Sequence, residues 1–206
     1  MVSPPRKLFV EGGGNHNDAL KTECRRAFTV LLERAGFKSR MPRVVACGGR
    51  RNAYEQFCTA IGEGEASAIL LVDAETPVAV GDPWQHVAQH QGDQWDRPAG
   101  ATEDHLHLMV QCMEAWFLAD RPALREFFGQ GFQENALPAV TCVPEDVGKS
   151  DLYKRLQQAT SKTKTKGAYD KGKHSFKLLA MLDPNLVRKA GGWAERFFAT
   201  LDRWMT

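Results

Sequence analysis

Ile69-Leu70-Leu71-Val72-Asp73-Ala74-Glu75 runs four apolar residues straight into two carboxylates spaced one residue apart. A run this short and this uniformly apolar predicts a strand buried on both faces, as in the middle of a parallel sheet. Open α/β sheets place their ligand sites beyond the C-terminal ends of such strands, which is where Asp73 and Glu75 fall. If the strand stays extended, these i, i+2 side chains point to the same side. Close carboxylates repel unless a cation sits between them. Hard oxygen donors at this spacing suit Mg²⁺ or Mn²⁺ better than zinc.

Working toward the N-terminus, Lys7-Leu8-Phe9-Val10 is a second apolar run, and it ends in Glu11-Gly12-Gly13-Gly14-Asn15. A carboxylate again stands at a strand end, before glycines that permit a tight turn. The glycines form neither a P-loop nor a dinucleotide fingerprint. Asn15 either faces the acids or builds the turn; His16 reads as turn chemistry. Asn17-Asp18 then offers a helix cap, with Leu20, Cys24, Ala27, Phe28, Leu31 and Leu32 following at helical spacing up to Gly36. Arg43-Val44-Val45-Ala46-Cys47 is another strand, followed by Gly48-Gly49 and a helix opened by Arg50-Arg51. Two arginines at that helix start fit a phosphate clamp on the same side of the sheet as Glu11 and Asp73, or ion pairs with Glu63 and Glu65. Strands alternating with helices predict an α/β fold with a central, mostly parallel sheet flanked by helices.

The strand-Glu-Gly-turn-helix followed by a later strand-Asp-x-acid resembles the Toprim domain of topoisomerases, primases and overcoming-lysogenization-defect nucleases. More narrowly, Val10-Glu11-Gly12, Leu71-Val72-Asp73-Ala74-Glu75 and the stretch Met109 to Asp120 are similar to the small stand-alone Toprim-like proteins of the DUF4276 type, over most of the chain. The resemblance implies a Rossmann-like Toprim core and divalent-metal binding by Glu11, Asp73 and Glu75, with cleavage of nucleic-acid phosphodiesters. Glu75 stands where the family more often shows Asp, keeping the charge on a longer arm. The resemblance also implies an antiphage effector paired with an ABC-type ATPase. A non-catalytic regulatory subunit of such an ATPase is the alternative. A phosphatase or phosphoacceptor fits the triple glycine after the first strand poorly.

After Glu75 about thirty residues read as loop-like, with a short helix from Pro83 to His90 and a tryptophan, Trp95, that reads as exposed. His86, His90, His105 and His107 suggest zinc, but no H-E-x-x-H is present, and ordinary helix and strand histidines are the preferred reading. Residues 105–110 alternate as a strand and lead into a helix from Cys112 to Asp120. Glu114, amid Met113, Ala115, Trp116, Phe117 and Leu118, is placed to be buried and needs a partner. It reads as a further catalytic acid, or else as a satisfied structural carboxylate.

The chain divides into a Toprim-like catalytic core, 1–128, and a basic, mainly helical C-terminal extension, 129–206, packed on it. Lys162, Lys164, Lys166, Lys171, Lys173 and His174 are the candidate contacts to a phosphate backbone, with 161–167 a mobile stretch. Trp193, Phe197, Phe198, Leu201 and Trp204 form a helical stripe that is either core or a partner-binding face.

Bulk properties narrow the classes. At 206 residues with 43% hydrophobic content the chain can bury a core, and its net charge of +2 announces no polyanion partner by itself. No apolar run has the length of a membrane span, and Met1-Val2-Ser3-Pro4-Pro5-Arg6 has no signal-peptide apolar core. Five dispersed cysteines without a C-x-x-C pair support neither disulfides nor a zinc knuckle, so a cytoplasmic setting is expected.

Overall fold

The computed structural model describes residues 6–205; residues 1–5, which bear most of the expectation about a leader, lie outside them. Four strands carry the apolar runs: β1 (Lys7–Val10), β2 (Arg43–Ala46), β3 (Ile69–Asp73) and β4 (Leu106–Met109). They form a sheet ordered β2-β1-β3-β4 in which every pair is parallel. The protein is thus α/β with a parallel sheet flanked by helices. The chain steps from β1 out to β2, then crosses over to β3 on the other side of β1. The strand order therefore reverses between β1 and β3, and ligands of such sheets bind in the crevice beyond that point.

Side chains alternate across the sheet. Leu8, Val10, Ile69 and Leu71 face one layer, which includes helix α1 (Asp18–Leu32) through Cys24, Ala27, Phe28, Leu31 and Leu32. Asn17 caps α1 by accepting from the Leu20 N–H at 2.9 Å. Phe9, Leu70, Val72, Leu106 and Leu108 face the other layer, formed by α2 (Arg50–Gly62) and α3 (Pro83–Gln89) through Phe57, Trp84 and Val87. Each fully buried Leu or Phe stabilises the fold by roughly 1.5–3 kcal/mol.

The C-terminal half adds α4 (Arg121–Phe128), α5 (Lys149–Thr160), α6 (Lys171–Leu179), α7 (Pro184–Arg188) and α8 (Gly192–Trp204). Leu152, Leu156, Leu178, Phe197, Phe198 and Leu201 from these helices share one apolar cluster with Leu8 and Leu71. The stripe on α8 is core: Phe197, Phe198 and Leu201 are fully buried, and Trp193 and Trp204 are half-buried against the apolar layers. The part of the stripe that remains accessible is limited to Trp193 and Trp204. Helix α8 lies along β4, where Arg196 donates to the Leu106 carbonyl at 3.0 Å and covers the sheet edge.

Three local expectations change. The Cys112–Asp120 segment is a tight 3₁₀ helix over Met113–Ala119 with residues 113–118 all buried; lacking a polar face, it is enclosed on every side. Trp95 is buried, stacked on Tyr54 at 4.5 Å. The 161–167 stretch is pinned: Thr163 is buried and its hydroxyl donates to the Gly167 carbonyl at 2.8 Å. No helix among the described residues is long and apolar enough to cross a membrane.

Candidate metal centre

The crevice is built from backbone first. Beyond β1, Gly12 and Gly48 exchange hydrogen bonds, Gly12 N–H to Gly48 O at 2.8 Å and the reverse at 3.0 Å. Gly48 sits at φ +81°, and a Cβ there would lie 2.7 Å from the Gly14 carbonyl oxygen, so the close approach requires glycine. Asn15 locks this turn. Its Oδ1 accepts from the Gly49 N–H at 2.6 Å and from Asn52 Nδ2 at 3.0 Å. Asn15 is therefore occupied with the turn, and His16 is exposed in it.

The turn sets Glu11 against the end of β3. Glu11 Oε2 accepts from the Asp73 N–H at 3.2 Å. Asp73 is buried, and its Oδ1 accepts from the Met113 N–H at 2.8 Å. Strand β3 ends at Asp73, but the ladder to the next segment continues, with Glu75 N–H donating to the Gln111 carbonyl at 2.8 Å. Glu75 itself turns into the left-handed region at φ 67°, a conformation that costs a non-glycine residue and concentrates at functional sites. Glu11, Asp73 and Glu75 each offer an oxygen, and these oxygens lie within 4.8 Å of one another. The side-by-side presentation expected of an extended strand is thus reached with Glu75 in a different backbone state.

Cations fill the space around these acids. Lys149 Nζ lies 2.7 and 2.6 Å from the two Glu75 oxygens and 3.4 Å from Asp73 Oδ2. Lys171 Nζ lies 3.9 Å from Asp73 Oδ2 and 3.7 Å from Glu114 Oε1. Burial pushes the Asp73 carboxyl up to about 7, with the Glu11 and Glu114 charges adding to the shift and the two lysines opposing it. Glu11 is also raised by burial, against the pull of Arg50. Burial alone would depress Lys149, but the Asp73 and Glu75 charges more than offset it and hold its ammonium above the ordinary lysine range.

Arg50 lies at this centre but serves as a strut. Its Nε and Nη2 form a bidentate pair with Asp93 at 2.7 and 2.6 Å, and Nη1 donates to the Asp73 carbonyl and reaches Glu11 at 3.4 Å. The guanidinium also lies 4.8 Å from the Trp95 ring centroid. These internal contacts take up most of its donors, so it does not present a free fork to phosphate. Arg51 points outward, with its side chain 85% exposed and paired with Glu55.

Glu114 does not join the three acids. It is fully buried and satisfied by Tyr153 Oη at 2.9 Å, Tyr169 Oη at 3.2 Å and Ser175 Oγ at 3.1 Å. Its partners are hydroxyls and the Lys171 ammonium. In this arrangement it matches the reading of a satisfied structural carboxylate, and its charge adds to the upward shift of Asp73. Lys162, Lys164, Lys166 and Lys173 are exposed, with the Lys166 ammonium 4.8 Å from the Phe127 ring centroid. His174 is held within the fold by one ring nitrogen. It is buried among Phe127, Phe128 and Tyr169, and its Nδ1 accepts from the Asp170 N–H at 3.0 Å.

His86, His105 and His107 are held by backbone groups, and His90 stands beside Asp93. His86 meets the Ala74 carbonyl, His105 the Thr102 N–H and Ala66 carbonyl, His107 the Asp104 carbonyl, and His90 lies 3.0 Å from Asp93. Among the described residues, Glu11, Asp73 and Glu75 are the group able to hold a metal ion.

Lys149, Asp93, Tyr153, Tyr169 and Ser175 belong to this centre and were not expected in it; from sequence, Lys149, Tyr153 and Tyr169 only mark the basic C-terminal stretch. One signal existed: Lys149 and Tyr153 are four apart at the start of a helix and so share a face.

Residues 10–202 match the family described as a domain of unknown function, DUF4276. No curated protein and no solved structure matches the chain.

Proposed function

The chain belongs to the DUF4276 family, and on that footing we propose that it is a metal-dependent nuclease of Toprim type that cleaves nucleic-acid phosphodiesters. The observation that carries this reading is the convergence of Glu11, Asp73 and Glu75 in the crevice where the strand order reverses. The donor set is all oxygen and suits Mg²⁺ or Mn²⁺. Arg50 is matched by Asp93, so Glu11, Asp73, Glu75 and Glu114 face the ammonium groups of Lys149 and Lys171. Ionised, these acids leave an excess of two negative charges, which one divalent cation would cancel.

Bound by the three acids, the metal would supply Lewis-acid stabilisation of the phosphodiester and an activated water. The chain's own residues orient the centre. The Met113 N–H fixes one Asp73 oxygen and leaves the other toward the crevice. Arg50 holds Glu11 against the end of β3. Lys171 is the ammonium beside Asp73 that also has a counter-ion outside the three acids, Glu114, and it is the candidate contact to the scissile phosphate. Helix α5 starts at the centre, and Lys162, Lys164 and Lys166 follow its far end, in the turn that leads back to Lys171. Exposed there, these lysines are the candidate contacts to the backbone flanking the cut.

The resemblance to stand-alone Toprim-like proteins extends the proposal to a cytoplasmic antiphage effector working with an ABC-type ATPase. A second reading is a non-catalytic subunit of such an ATPase complex. It is favoured by one observation, the Lys149 ammonium already lodged between Glu75 and Asp73. The deciding experiment incubates the purified chain with DNA and with RNA in Mg²⁺ or Mn²⁺. Cleavage that disappears with chelator and in a folded Asp73→Ala protein supports the nuclease. Full cleavage by Asp73→Ala removes the assignment, and metal binding without cleavage, alone or with the ATPase, favours the second reading.

A further inference from the structure

Arg50 and Lys171 each touch a proposed metal ligand but also pair with another acid, Asp93 or Glu114, whereas among the described residues the ion pairs of Lys149 are all with the proposed ligands, Glu75 and Asp73. Arg50 is pinned by Asp93 and Trp95. Lys171 rests against Glu114 and 5.6 Å from the Tyr153 ring centroid. Lys149 instead contacts both Glu75 oxygens and faces Asp73. Its backbone is anchored, because it opens α5 and its N–H reaches Gln111 Oε1 at 3.4 Å. Its side chain is 23% exposed. The arm can therefore leave the acids by side-chain rotation while the helix stays in place.

We propose that Lys149 is a resident counter-cation of the three-acid centre, holding the carboxylates together in the metal-free protein and yielding them to the divalent ion. This rests on the metal-centre reading above. An ammonium within 2.7 Å of both Glu75 oxygens takes the lone pairs a metal needs, and a unit positive charge that close to a divalent ion repels it. Metal entry and the Lys149 contact are thus mutually exclusive, and the measured metal affinity is a difference between the two. Once displaced, the ammonium stands at the mouth of the crevice, where a phosphate would be its next counter-ion. Metal and nucleic acid should consequently reinforce each other's binding, since each removes a competitor of the other.

The test measures Mn²⁺ binding to the intact chain by calorimetry, without substrate. Lys149→Met should bind Mn²⁺ at least tenfold more tightly than the parent, while Lys149→Arg, which keeps the charge, should stay within about threefold of it. Equal or weaker binding by Lys149→Met overturns the inference and leaves the metal centre standing. Absence of binding in the parent and both variants overturns the metal centre itself. Amine labelling of the parent needs no variant. Labelling of Lys149 should rise as Mg²⁺ is added, and labelling that is unchanged at saturating Mg²⁺ overturns the displacement.

Discussion

The Arg50–Asp93 pair makes a prediction that joins stability to the centre. Asp93 is 3% exposed at its side chain and Arg50 13%, and they meet in a bidentate bond at 2.7 and 2.6 Å. Asp93→Ala leaves a buried guanidinium with the weaker Glu11 contact at 3.4 Å. Breaking one side of a buried pair costs about 3–5 kcal/mol, and because Glu11 retains some of the charge match, the lower end, about 3 kcal/mol, is expected. For a chain of this size each kcal/mol moves the midpoint by about 2–4 °C, so the drop should be about 6–12 °C. Replacing both partners, Arg50→Met with Asp93→Leu, removes the stranded charge and keeps an aliphatic stem over Trp95. Most of the stability should return. Metal binding should not return, because Glu11 loses the strut that holds it at the end of β3. The assays are thermal unfolding and Mn²⁺ calorimetry on the parent, the single and the double variant. A double variant that regains stability and binds Mn²⁺ like the parent would refute the claim that Arg50 positions Glu11.

The lysine-rich stretch and the buried His107 each carry a further prediction. Replacing Lys162, Lys164 and Lys166 together by alanine should weaken nucleic-acid binding and lower the slope of log affinity against log salt by about 0.7–0.9 for each phosphate no longer neutralised; an unchanged slope returns them to a solvated loop. His107 is fully buried, and burial pulls its imidazole down to about 3 from the ordinary 6.5, so the folded state keeps it neutral while the unfolded chain takes up a proton below pH 6.5. Stability from this residue is therefore complete above pH 6.5 and is lost as pH falls toward 3, by up to about 4–5 kcal/mol. Denaturant titrations of the parent and His107→Gln across that window should show a shallower acid decline in the variant, and superimposable declines would contradict a buried neutral imidazole.

What could be read from the sequence was what local pattern encodes. Ile69 to Val72 is apolar at every position because both faces of β3 are covered, and that made the strand and its terminal acids legible. Glu11 was legible because a strand and a glycine turn flank it. Arg50 and Lys171 were named as candidate phosphate contacts, but the ion pairs of the centre were not legible, because they are set by tertiary approach: Lys149 is 76 residues from Asp73, and Asp93 is 43 from Arg50. Trp95 and His174 went the opposite way. Each sits in a polar, turn-rich stretch that resembles surface, yet each is buried by residues far along the chain. Trp95 lies under Arg50 and against Tyr54, and His174 packs on Phe127 and Phe128. Composition around a residue reports its chain neighbours, not the layer that closes over it.

The division of labour in the centre bears on how the C-terminal helices came to be there. The sheet half contributes Glu11, Asp73, Glu75 and Glu114, which are like charges gathered at one place. Of the cations, it supplies only Arg50, already matched by Asp93. The extension supplies Lys149 at the start of α5 and Lys171 at the start of α6, together with the hydroxyls of Tyr153, Tyr169 and Ser175 that satisfy Glu114. Without these helices the sheet half would hold a buried carboxylate, Glu114, with none of the hydrogen-bond partners observed for it, and an Asp73 facing Glu11 with no ammonium nearby. Burying such groups unpaired costs several kcal/mol. The acids at the strand ends and the basic helices therefore specify each other, and a change in either half alters the charge balance on which metal binding would depend.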